Sequence, residues 1–228
     1  MMSERLSWRL AAACGVLYVA LGLARGGGGG VGVGDSRANI AKWVGGSLGP
    51  RGVNWTGAYL EILALLSLVV FIGVLAAALR LREGGLPWLS NVTLGAGLTT
   101  VTVKLASLPA AFALAYRAHE GFDPQLAAAL TDMNTFSFVL TWPLTALMIA
   151  AAATAILRFK ALPAWLGWSG AMAAIGLLAA VPMAFGPGAF VAFVASTIWI
   201  SLASVTMIVR PPSDAHALAT REALVAAG

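Results

Sequence analysis

VNWTGAYLEILALLSLVVFIGVLAAALR, residues 53–80, decides the fold. It holds one ionisable residue, Glu61, before Arg80 closes it. About 20 apolar residues suffice to cross a hydrocarbon core of ~30 Å. A helix satisfies all the backbone groups of such a stretch within the stretch itself, which lipid demands.

Five further segments reach spanning length: 6–24, 88–116, 124–158, 163–185 and 188–210. The whole chain agrees with them, since 228 residues that are 60% hydrophobic and 10% charged, with a mean hydropathy of +0.88, are too apolar for a water-soluble domain. The expected fold class is an all-α membrane protein, a bundle of six transmembrane helices making one membrane domain over 1–228. Pro87 and Pro163 stand where a first helical turn tolerates proline, and Asp123-Pro124 reads as an N-cap followed by proline at the first helical position.

A pI near 10.0 raises the question of nucleic acid, but the basic residues sit at the ends of apolar runs, with no cluster and no interleaved aromatics. They read as topology determinants. Arg5, Arg9, Arg80, Arg82, Arg158, Lys160, Arg210 and Arg221 fall on the side of the termini, against Arg25, Arg37, Lys42, Arg51 and Arg117 opposite. This balance predicts a multi-pass protein of the cell membrane with both termini cytoplasmic. Arg5 and Arg9 before an apolar stretch, with Gly22-Leu23-Ala24 after it, also have the features of a signal peptide; the segment is read as a retained first span.

The sizeable loop, 25–52, opens with Gly26 to Gly30 and contains Ser36 to Trp43, a candidate short interfacial helix. It is either a flexible linker or a lid over the outer end of the bundle. A polar tail, 211–228, ends the chain. The single cysteine, Cys14, lies in the first apolar run and is read as packing. His119 and His216 have no partners at metal-ligand spacing, and no phosphate loop, dinucleotide fingerprint or nucleophile elbow is present. Neither a metal nor a cofactor is expected.

Ionisable residues inside the apolar segments are costly and therefore functional candidates. Counting ~20 residues from the borders rich in Arg and Lys, at ~1.5 Å each, puts Glu61, Lys104, Asp132 and Asn134 near one level at the outer edge of the hydrocarbon. Thr93, Gly97, Thr100, Lys104 and Ser107 recur at helical spacing and give the third span a small-polar face. Asn134, Thr141 and Thr145 do the same in the fourth, and Thr197, Ser201 and Ser204 in the sixth. Such faces are expected to meet, turning Lys104 toward the carboxylates. Pro109 and Pro143 free the carbonyls of Leu105 and Val139, for water, a ligand or a neighbouring hydroxyl to satisfy.

Lys104 either pairs with Glu61 or Asp132 to fix helix register, or belongs to a site. One lysine cannot neutralise two carboxylates, so a second, dry acid would hold its proton and be able to donate it. Trp55, Tyr59, Phe136, Phe138, Trp142, Phe190, Phe193 and Trp199 are either an ordinary interface belt or the cation-stabilising wall of a chamber beside that acid.

In Gly57-Ala58-Tyr59-Leu60-Glu61 running on to Leu79-Arg80, and in Leu162-Pro163-Ala164-Trp165-Leu166-Gly167-Trp168, the chain resembles small six-span actinobacterial membrane proteins. With Glu61 early in its second span, it also resembles the integral-membrane terpene cyclases of indole-terpenoid and meroterpenoid pathways. That second resemblance implies acid-initiated carbocation cyclisation of a lipophilic prenylated substrate without cofactor or metal. Glu61 and Asp132 would be the catalytic acids, the latter replacing the late-span acid of the fungal enzymes. Lys104, Asn134, Trp55, Tyr59, Phe136, Trp142 and Trp199 would line the substrate site. The alternatives are a transporter or exporter of a small lipophilic compound or cation, using the same charges, and an accessory membrane subunit.

Overall fold

A computed structural model describes residues 4–24, 36, 38–39, 55–117, 123–184 and 188–210. Within them the chain is helical, with six helices long and apolar enough to cross a membrane, as its composition predicts. These are α1 (Glu4–Ala24), α2 (Trp55–Glu83), α3 (Trp88–Arg117), α4 (Pro124–Phe159), α5 (Ala164–Ala180) and α6 (Ala189–Val209). The protein is a multi-pass membrane protein. A 3-10 turn, Val181–Met183, follows α5 where Pro182 withdraws a backbone donor.

The helix ends follow local chemistry. Asp123 caps α4 by accepting from Gln125 N at 3.0 Å, with Pro124 at the first helical position. Helix α2 runs three residues beyond Arg80, because the buried Glu83 has work at its end. Its carboxylate accepts from Leu89 N at 2.7 Å and Ser90 N at 3.0 Å, satisfying donors that the first turn of α3 leaves over. Gly84 and Gly85 make the reversal between the two helices at φ +61° and +51°, where a side chain would be strained.

Each helix packs on its neighbours in sequence, and α6 returns to α1, so the helices close a ring. The α3–α4 contact is the most extensive, while α2 and α4 also touch across the ring. Phe71, Ile72, Leu75 and Leu79 of α2 and Met148, Ile149 and Ile156 of α4 form its buried centre. Gly97 of α3 admits them: a Cβ there would lie 2.8 Å from Ile72 Cγ2 and 2.9 Å from Met148 Sδ.

The seam between α6 and α1 is polar at one point. Ser204 Oγ donates to Ala12 O at 2.6 Å and accepts from Val16 N at 3.2 Å, bridging one rung of the α1 ladder. Gly15 permits the approach, since a Cβ there would meet Ser204 Cβ at 2.8 Å and Phe71 Cδ2 at 2.6 Å. The small-polar face of α6 therefore reaches α1 through Ser204, whereas the faces of α3 and α4 meet one another.

Candidate functional site

The α3 face foreseen from spacing turns inward. Thr93, Thr100 and Ser107 are buried, and the hydroxyls of Thr93 and Thr100 donate to the carbonyls of Leu89 and Ala96 four residues back. They cost the interior no unmet donor. Lys104, on the same stripe, is the residue whose needs reach outside its own helix.

Its ammonium lies 3.4 Å from Glu61 Oε1 of α2, and both side chains are largely buried, at 12% and 10% exposure. It donates to Asn134 Oδ1 of α4 at 3.1 Å. Ser107 Oγ stands 2.8 Å from Lys104 O and 3.3 Å from Asn134 Oδ1, one O–H shared between two acceptors. Three helices thus converge on one cation. The half-buried Tyr18 of α1 packs against the core of the bundle. Tyr18 escaped the sequence reading, although it lies well up the first span when counted from Arg9.

An aromatic group adjoins the cation. The Phe138 ring centre is 5.9 Å from Lys104 Nζ, within cation–π reach. Phe138 meets Trp142 edge-on at 5.8 Å and Phe193 of α6 at 5.0 Å, and Trp142 and Phe193 stack at 6.2 Å with planes 21° apart. Phe190 extends the group to a more exposed position, 6.2 Å from Phe193. Trp142 is 4% exposed, and its Nε1–H has no acceptor among the described residues.

Neither a protein-family model, nor a curated protein, nor a solved structure matches the chain. The arrangement is read on its chemistry alone. A carboxylate, an amide and an aromatic face surround the Lys104 ammonium in apolar surroundings.

Of the residues singled out in the sequence, Glu61, Lys104, Asn134, Phe138, Trp142, Phe190 and Phe193 belong to this neighbourhood. Asp132 does not pair with Lys104, and among the described residues it forms no hydrogen bond or ion pair. It precedes Asn134 by two positions, about 200° around the helix, so the two share a level but not a face. Phe136, two positions beyond Asn134, is 48% exposed, and Tyr59, two before Glu61, is 62% exposed; both sit on outward faces for the same reason.

Trp199 is buried elsewhere. Its Nε1 donates to Leu166 O at 2.9 Å across the α5–α6 seam, and Gly170 makes the room, because a Cβ there would lie 2.6 Å from that nitrogen. The side chain of Trp55 lies outside the described residues, as do His119, His216, the tail and most of the 25–52 loop. Within that loop Ala38 and Asn39 are helical, and Ser36 Oγ accepts from Asn39 N at 3.2 Å. Pro109 and Pro143 both lie inside continuous helices.

Proposed function

We propose that this protein exports a small lipophilic cation across the cell membrane, with Glu61 as the binding carboxylate and Lys104 as a resident cation that the substrate displaces. One observation carries the reading: the Lys104 ammonium sits at once 3.4 Å from a buried carboxylate and 5.9 Å from the face of Phe138. These are the groups that attract a weakly hydrated organic cation, which loses little solvation on leaving water. The site stays electrically neutral when the arriving cation takes the place of the lysine proton. Lys104 releases H⁺, its amine remains on Asn134, and the cation is balanced by Glu61. Cation and proton are then exchanged, so an opposing pH gradient drives export.

The test is accumulation of tetraphenylphosphonium in proteoliposomes under an imposed pH gradient. Uptake is expected for the wild type, with loss in Glu61→Gln. A wild type that accumulates nothing sinks the proposal.

A second reading is favoured by the Phe138, Trp142 and Phe193 group, since such faces also stabilise carbocations. It is the acid-initiated cyclisation of a prenylated or terpenoid substrate. Proton transfer from Lys104 to Glu61 within the dry pair would arm Glu61 as the acid, which gives its proton to an alkene or epoxide and recovers one when the product cation is quenched. Asp132, on the other face of α4, would be the second acid in that reading. Membranes fed prenylated indoles and epoxidised prenyl compounds would yield a product of unchanged mass, absent in Glu61→Gln. Conversion without net transport selects this reading over export.

A further inference from the structure

The bundle handles its buried indoles in two ways. Trp199 Nε1–H has a dedicated acceptor, Leu166 O at 2.9 Å, and a glycine, Gly170, that leaves space for the contact. Trp142 is as deeply buried, yet its Nε1–H has no acceptor among the described residues. Trp8 shares that condition, but it lies in the second turn of α1 and, among the described residues, makes no ring contact with the Phe138, Trp142 and Phe193 group. Trp142 lies in the middle of α4, inside the aromatic group that begins under Lys104.

A buried donor left without a partner in an apolar site is an opening for an acceptor brought from outside. Its neighbours fix what that acceptor accompanies. One aromatic step away, Phe138 faces the ammonium that Glu61 balances, so the charge of a bound cation falls at Glu61 and its body along Phe138 and Phe193. Trp142, edge-on to Phe138 at 5.8 Å and stacked on Phe193 at 6.2 Å, is the indole that such a body would meet.

Resting on the export reading above, we infer that Trp142 Nε1–H is the specificity determinant of the site: it donates to a carbonyl or ether oxygen on the substrate. The preferred cargo is an aromatic or polycyclic cation carrying such an oxygen, not a wholly hydrocarbon cation.

The test uses the full chain in lipid nanodiscs and a matched pair of probes, tetraphenylphosphonium and (4-acetylphenyl)triphenylphosphonium, in equilibrium dialysis. The acetyl compound is expected to bind the wild type about two- to tenfold more tightly, the worth of one net hydrogen bond. Trp142→Phe keeps an aromatic ring and removes the donor, so it should weaken the acetyl compound more than tetraphenylphosphonium and bring the two affinities together. Equal weakening of both probes would assign Trp142 to packing alone and overturn the inference, as would a variant that keeps the preference. If neither probe binds the wild type, the export reading falls and takes this one with it. Should Trp142→Phe fail to fold, the indole N–H resonance of Trp142 in ¹⁵N-tryptophan protein decides the matter. It is assigned by substituting the other tryptophans in turn. A downfield move with the acetyl probe and none with tetraphenylphosphonium supports the bond, and no move with either overturns it.

Discussion

The Lys104 ammonium could not be left alone where it lies, largely buried among apolar neighbours. With Glu61 at 3.4 Å and Asn134 at 3.1 Å, the pair is compensated, and removing one member uncovers the other. Lys104→Met should therefore destabilise the bundle by about 3–5 kcal/mol, while Glu61→Leu combined with Lys104→Met should recover most of that loss. Denaturant titration of the purified protein in detergent measures both. A double variant as unstable as the single one would mean that the pair does not hold the charge. The stable double variant should also be unable to accumulate tetraphenylphosphonium, which separates the site's role in function from its role in folding. The sequence made the depth of this cluster legible, since counting along each span needs only the rise per residue. It left the direction around each helix open. Tyr59, Asp132 and Phe136 were grouped with site residues by depth, and each is two positions from a residue that the cluster uses, which puts it on another face.

At the scale of the element, the contacts that join helices are made where glycine lets them close. Gly15 and Gly22 belong to the same helix and offer a controlled comparison. A Cβ on Gly15 would lie 2.6 Å from Phe71 Cδ2, whereas one on Gly22 meets nothing within 4 Å. Gly15→Leu should cost about 1–3 kcal/mol by overpacking the seam of α1, α2 and α6, and Gly22→Leu should stay within about 0.5 kcal/mol. Equal thermal stabilities for the two variants would refute the packing described for α1. Glu83 gives a second comparison. Glu83→Ala leaves Leu89 N and Ser90 N without the acceptor they use, and should lower stability by about 0.5–2 kcal/mol. Glu83→Gln retains one acceptor oxygen and should lose less. Helix starts were readable because Asp123-Pro124 and Pro87 act on their immediate neighbours. The partners of Ser204 and Trp199 were not, because Ala12 and Leu166 are distant in sequence and no local pattern encodes which helices meet.

For the whole molecule, the ring of alternating helices gathers Arg80, Arg82, Arg158 and Lys160 beside the tight connections at 84–87 and 160–163. Asp123, at the start of α4, lies at the opposite end. Translocating basic residues opposes both the membrane potential and the attraction of anionic cytoplasmic lipid, so the end rich in Arg and Lys should stay inside the cell. On the export proposal, this orientation would also set the direction of transport. Glu61, in the second turn of α2, then lies toward the outer face, and a cation drawn from the inner leaflet must travel most of the bundle's length to reach it. The orientation is testable with the chain's own chemistry, because Cys14 is the single cysteine and can be replaced by alanine. Leu86, 88% exposed in the tight connection, and Gln125, exposed at the start of α4, are placed to report opposite ends as single cysteines. In intact cells a membrane-impermeant maleimide should label Gln125→Cys and spare Leu86→Cys, and permeabilisation should expose the latter. The reverse pattern would invert the bundle and place the Glu61 site at the cytoplasmic face.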